Sequence, residues 1–86
     1  MSKKIEKIFT PKLWSNSDLA LVACLVNRGF KIVSLDRTLP NKIQFQFEQT
    51  PELEQTVDDF WSDKLMVSPR IFFDNIRLVK NRIYSE

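Results

Sequence analysis

The sequence predicts an α+β domain: a small antiparallel sheet, made of a β-hairpin plus one or two short strands, packed against about three helices. Three observations carry this. Residues 43–48 alternate, with Ile43, Phe45 and Phe47 on one side and Gln44, Gln46 and Glu48 on the other, the period of a half-buried strand. The pairs Thr50-Pro51 and Ser68-Pro69 each place a capping hydroxyl before a proline that suits the first helical position. Residues 19–26 are apolar almost without interruption and are followed by Asn27-Arg28-Gly29, a helix of the kind that is buried on most sides. With 86 residues the chain makes one domain, 1–86, and it shows no repeat, linker or low-complexity segment.

The elements follow in order. Residues 1–4 are read as frayed. Residues 5–10 alternate weakly, and Ile8-Phe9-Thr10 suits a short strand that Pro11 ends or sets at a sheet edge. Asn16 or Ser17 caps the first helix and Asp18 meets its positive end. Gly29 supplies the left-handed residue past its last turn. Residues 30–35 form a strand, 36–42 a turn, and 43–48 the returning strand of a hairpin.

In the next helix Leu53, Val57, Phe60 and Trp61 share one face, while Glu54, Gln55, Asp58 and Asp59 share the other. Leu65-Met66-Val67 is a short extended link or a further strand. The last helix opens at Ser68-Pro69. At 100° per residue Phe72, Ile76, Val79 and Ile83 fall within an arc of about 60°, which marks its core face. The order is β-α-β-β-α-(β)-α.

Composition excludes several kinds of chemistry. The chain has no histidine and a single cysteine, Cys24. The commonest general base and the commonest neutral metal ligand are therefore missing. An internal disulfide cannot form, and Ser-His-Asp or Cys-His nucleophile arrangements cannot be built from this chain alone. No metal site, cofactor or catalytic residue is expected. The longest apolar run is too short to cross a bilayer, no signal-peptide pattern is visible, and no membrane partner is expected. Those features point to a reducing, cytoplasmic setting.

The net charge is only +2, but it is unevenly spread. Lys3, Lys4, Lys7 and Lys12 crowd the start. Residues 48–63 hold Glu48, Glu52, Glu54, Asp58, Asp59 and Asp63 with no cation. The last helix holds Arg70, Arg77, Lys80 and Arg82 against Asp74. Such polarity bears on partners rather than on fold.

The only stretch where cations and aromatics share a surface is the last helix. Arg70, Arg77 and Asn81 lie roughly opposite its core face, flanked by Phe73 and Tyr84, with Lys80 at the border. Arg and Lys neutralise phosphates and aromatics stack on unpaired bases. The same face also suits plain solvation, with cations placed for the helix C-terminus and the two aromatics at the fringe of the core. Lys3, Lys4 and Lys7 form either a phosphate-seeking arm or a solubilising tail. Trp14 is either an apolar staple at a helix entry or an exposed hot spot for a protein partner. Trp61 is read as core. Glu54, Asp58 and Asp59 sit on a solvated helix face and lack the spacing of a calcium loop.

The run Leu13-Trp14-Ser15-Asn16-Ser17-Asp18-Leu19-Ala20-Leu21-Val22-Ala23-Cys24-Leu25, the strand Phe45-Gln46-Phe47-Glu48, the helix from Glu52-Leu53 to Phe60-Trp61 and the stretch from Val67-Ser68-Pro69-Arg70 to Arg82-Ile83-Tyr84 resemble a family of small uncharacterised domains of bacteria, archaea and their phages and plasmids. The resemblance implies a shared fold and a mobile-element context, and it brings no reaction or ligand. The function expected from the residues is non-enzymatic association with DNA or RNA, weak and indifferent to sequence. The alternative is a protein-interaction module: an adaptor, an inhibitor or a small subunit of a larger assembly.

Overall fold

The computed structural model describes residues 12–85. The predicted strand within 5–10, its stop at Pro11 and the lysines at 3, 4 and 7 lie outside the described residues. Over the described part the α+β class holds. The elements are β1 (Leu13–Asn16), α1 (Leu19–Asn27), β2 (Ile32–Leu39), β3 (Lys42–Glu48), α2 (Pro51–Trp61) and α3 (Pro69–Tyr84).

The three strands make one antiparallel sheet in the order β1-β3-β2. β3 is central because its alternation satisfies both sides at once. Phe45 and Phe47 turn inward and are sealed from water, while Gln46 on the outer side bonds to Ser34 of β2 and reaches Ser15 of β1. One inner face, one core and three helices follow from that pattern. The core joins Leu21, Val22 and Leu25 of α1 to Phe45, Phe47, Leu53 of α2 and Val79 of α3.

β1 corrects the sequence reading. The sequence places Trp14 at a helix entry and a cap at Asn16, yet residues 13–16 form a strand. Gln49 N–H donates to the Lys12 carbonyl at 2.8 Å, and Trp14 stands opposite Phe47 with ring centroids 6.0 Å apart. A central strand as apolar as β3 needs both edges paired, because an open buried edge leaves backbone groups without partners. The link at residues 65–67 is not a strand, since that need is already met.

The cap of α1 also moves. Asp18, not Asn16 or Ser17, is the N-cap, and its carboxylate accepts from the N–H groups of Ala20 and Leu21 at 2.9 and 3.2 Å. Asn16 accepts from the Asp18 N–H at 2.7 Å and so sets the approach. The helix then buries Leu21, Val22, Ala23, Cys24 and Leu25 in succession, as its all-round apolar pattern predicts. Gly29 ends it at φ +95°, a conformation that costs glycine little.

The hairpin differs in its limits. β2 begins at Ile32 rather than Phe30 and runs on to Leu39, so the turn shrinks to Pro40-Asn41. Asp36, Arg37 and Thr38 have turn-like composition. The Asp36 carboxylate, however, accepts from both the N–H and the hydroxyl of Thr38, which satisfies the irregular part of the strand between Asp36 and Leu39 without ending it. The same bonds hold the Asp36 carboxyl below its ordinary pKa.

α2 starts as predicted, with the Thr50 hydroxyl accepting from Leu53 N–H at 3.1 Å. Leu53 is buried and Val57 and Phe60 pack on the core. Trp61 does not: it is 62% exposed, with its ring set edge-on to Phe60. About 80° of helix separates it from Leu53 at 100° per residue, and it is the last residue of the helix. Directly after it Asp63 takes φ 62°, and Lys64 N–H returns to the Asp59 carbonyl at 2.9 Å. This tight reversal turns the chain away from the helix directly after the indole.

Candidate nucleic-acid interface

α3 is a sixteen-residue helix whose local start is simple. Pro69 fixes the first helical residue, and the Phe72 N–H returns to the Ser68 carbonyl at 2.8 Å. The Ser68 hydroxyl makes no cap bond. Of the predicted core face only Val79 is fully buried, while Phe72, Ile76 and Ile83 are half-buried. The helix lies along α1 and is held on one side.

Its free side gathers the residues that sequence reasoning singled out. Counted from Phe72 at 100° per residue, Lys80, Phe73, Tyr84, Arg77 and Arg70 lie in that order within an arc of about 80°. All five are exposed. From Arg70 to Tyr84 the stripe runs about 21 Å at 1.5 Å per residue. Phe73 is 58% and Tyr84 83% exposed, so neither belongs to the core fringe. The Arg77 guanidinium sits over the Phe73 ring, 5.2 Å from its centroid. This cation–π contact fixes the charge beside an aromatic face and leaves the guanidinium's N–H groups free to meet a phosphate fork.

One further cation arrives from the sheet. Arg37 Nη2 donates to the Ile83 carbonyl at 2.8 Å. It ties β2 to the end of α3 and sets positive charge where the helix dipole is negative. Sequence reading placed Arg37 in a turn. A contact across 46 positions leaves no local signal. At the other end of α3 Arg28 donates to the Met66 carbonyl at 3.0 Å, which fixes the link that leads into the helix.

The remaining candidates separate from this stripe. Trp14 is half-buried on the inner face of the sheet and packs on the core from a strand, opposite Phe47. Lys3, Lys4 and Lys7 are outside the described residues. The carboxylates of α2 lie on its outer side, where Gln49 donates to Glu54 at 2.6 Å and Gln55 to Asp59 at 3.0 Å.

A cleft of about 530 Å³ opens between the start of β2 and the start of α2, floored by Phe30, Val33 and Phe47 and rimmed by Lys31, Glu48 and Glu52. Among the described residues no group of three or more Cys, Asp and Glu could hold a metal ion. Cys24 is buried inside α1, and burial pushes its thiol above the ordinary 9.0, which disfavours the nucleophilic thiolate. Among the described residues no helix is long and apolar enough to cross a membrane.

Residues 12–85 match the model of a family described as a domain of unknown function, DUF5659. No curated protein and no solved structure matches the chain.

Proposed function

Since the chain belongs to the DUF5659 family, whose description assigns no activity, we propose from its surface that the domain is a non-enzymatic nucleic-acid-associated module that uses α3. The single observation that carries this reading is the stripe of Arg70, Phe73, Arg77, Lys80 and Tyr84, with Arg77 held over Phe73. Cations at this spacing track a phosphate backbone, and two exposed rings give unpaired bases a surface to stack on. The contacts seek phosphate and base faces rather than base edges, so binding is weak, salt-dependent and little affected by sequence. A cytoplasmic setting, in a mobile element or phage, belongs to the same proposal. It is supported by the free Cys24 and by the resemblance described above.

The test is fluorescence anisotropy with labelled single-stranded and duplex oligonucleotides at two salt concentrations. Arg70→Ala and Arg77→Ala each reduce the salt slope by about one unit. Tyr84→Ala weakens single-strand binding more than duplex binding. Absence of binding at low salt and micromolar protein overturns the reading.

A protein-interaction module is the second reading, favoured by the exposure of Trp61 at 62% and Met66 at 82%. Large apolar side chains left in water are candidate anchors for such a partner. A stoichiometric partner lost on Trp61→Ala, with no nucleic acid bound, would decide for it.

A further inference from the structure

α3 has a second free face. Ile71 and Leu78 are 50% and 53% exposed, and one full repeat of seven residues puts both within about 20° of one line. That line lies about 120° from the cation–aromatic stripe and about 120° from the core face, at 100° per residue. Asp74 and Arg82 flank it. Neither belongs to the core or to the stripe; Asp74 is exposed and Arg82 half-buried.

The spacing is self-complementary. Asp74 stands four residues before Leu78 and Arg82 four residues after it. When two copies of α3 pack antiparallel about a two-fold axis at Leu78, residue 78 − n of one lies level with residue 78 + n of the other. Leu78 then meets Leu78 of the second copy. Asp74 lies level with Arg82 of the second copy, and the same pair forms again on the far side. A carboxylate and a guanidinium at matched height, twice, is the isologous pattern that a two-fold interface demands. A parallel pairing would instead set like charges side by side.

We propose that this face of α3 — Ile71, Asp74, Leu78 and Arg82 — is a docking surface for a second copy of the chain, giving an antiparallel two-fold dimer. It goes beyond the nucleic-acid reading and stands without it. It has one consequence for that reading. The two-fold axis runs perpendicular to the paired helices, so both cation–aromatic stripes come out on the same side of the dimer, away from both cores. A single backbone then meets two stripes rather than one. One helix face buries little area, which places the dimer among weak, concentration-dependent ones.

Sedimentation velocity from micromolar to near-millimolar protein tests it. The wild type shifts from monomer to dimer across that range. Leu78→Glu holds the chain as monomer. D74R sets arginine against arginine twice and weakens self-association by roughly tenfold or more. The double swap D74R/R82D restores it to within about threefold of wild type, because the pair is remade in reverse. Arg77→Ala, on the other stripe, leaves it unchanged. Should Leu78→Glu fail to fold by circular dichroism, D74R, at an exposed position, and the double swap still decide the matter. A wild type that stays monomeric through the range overturns the proposal. So does association indifferent to D74R, or a double swap no better than D74R alone.

Discussion

Helix α1 has nine residues and seals five of them from water, while α3 has sixteen and seals one. The shorter helix lies under everything. It meets the sheet through Phe45 and Phe47, and it meets α2 and α3 on its other sides. The longer helix rests on α1 along one stripe and keeps two others free, one cationic and aromatic, one apolar with Asp74 and Arg82. Burial on all sides of its middle leaves α1 little surface for chemistry. Support on one side leaves α3 nothing but surface beyond its anchor. The stability of this domain therefore sits in one helix and its candidate contacts in another, and substitutions should separate the two.

The largest effects are expected in the core around α1. Leu25→Ala removes a side chain with no exposure and should cost about 2–5 kcal/mol, and Phe45→Ala about 3–5 kcal/mol. Set against a total of about 5–8 kcal/mol for a domain this small, either leaves much of the chain unfolded at room temperature. Ile76→Ala, on the half-buried face of α3, should cost about half as much as a fully buried truncation. Urea denaturation measures all three. If Ile76→Ala destabilises as much as Leu25→Ala, the contrast between the helices fails.

The caps sharpen the same contrast at a smaller scale. Asp18 accepts two backbone N–H bonds at the start of α1, so Asp18→Ala should lower stability by about 0.5–2 kcal/mol. Ser68 makes no side-chain cap bond at the start of α3, so Ser68→Ala should cost a few tenths at most. Equal losses in thermal melts would show that Ser68 caps in solution after all.

Thiol chemistry gives the finest test. Cys24 is buried in α1, and its pKa is raised chiefly by desolvation, with Asp18 adding to it and Arg28 opposing. A folded-state value above the unfolded one means that the folded chain keeps its proton longer. The associated stability is fully present below the ordinary thiol pKa and is lost as pH rises through the folded value. A shallow alkaline loss should thus begin near pH 9.0 and vanish in Cys24→Ala. At neutral pH Cys24 should react with a thiol reagent only as fast as the domain opens. A cysteine placed at Tyr84 in the Cys24→Ala background should react like a free thiol. Rapid labelling of Cys24 in the folded protein would mean that α1 is not the sealed element described.

Much of this was legible from local patterns. The alternation of β3, the apolar run of α1, the proline starts of α2 and α3, Gly29 past α1 and the clustering of Arg70, Phe73, Arg77, Lys80 and Tyr84 all follow from periods of 2.0 and 3.6 residues, and from the backbone preferences of Pro and Gly. These act within a few residues, so one chain read alone reveals them. What the local patterns left open were the questions of what lies opposite. Residues 13–16 have no strong strand pattern and became β1 because β3 had an edge to fill. Asp36-Arg37-Thr38 stayed in a strand because a partner strand ran beside it. Trp61 reads as apolar on a helical face, yet the chain reverses at Asp63 and leaves it 62% exposed. Arg37 meets the Ile83 carbonyl across 46 positions. The sequence by itself determined the elements and the faces they present. The tertiary structure decided which faces are covered, because burial is a property of two surfaces and a residue's own neighbours in the chain supply only one of them.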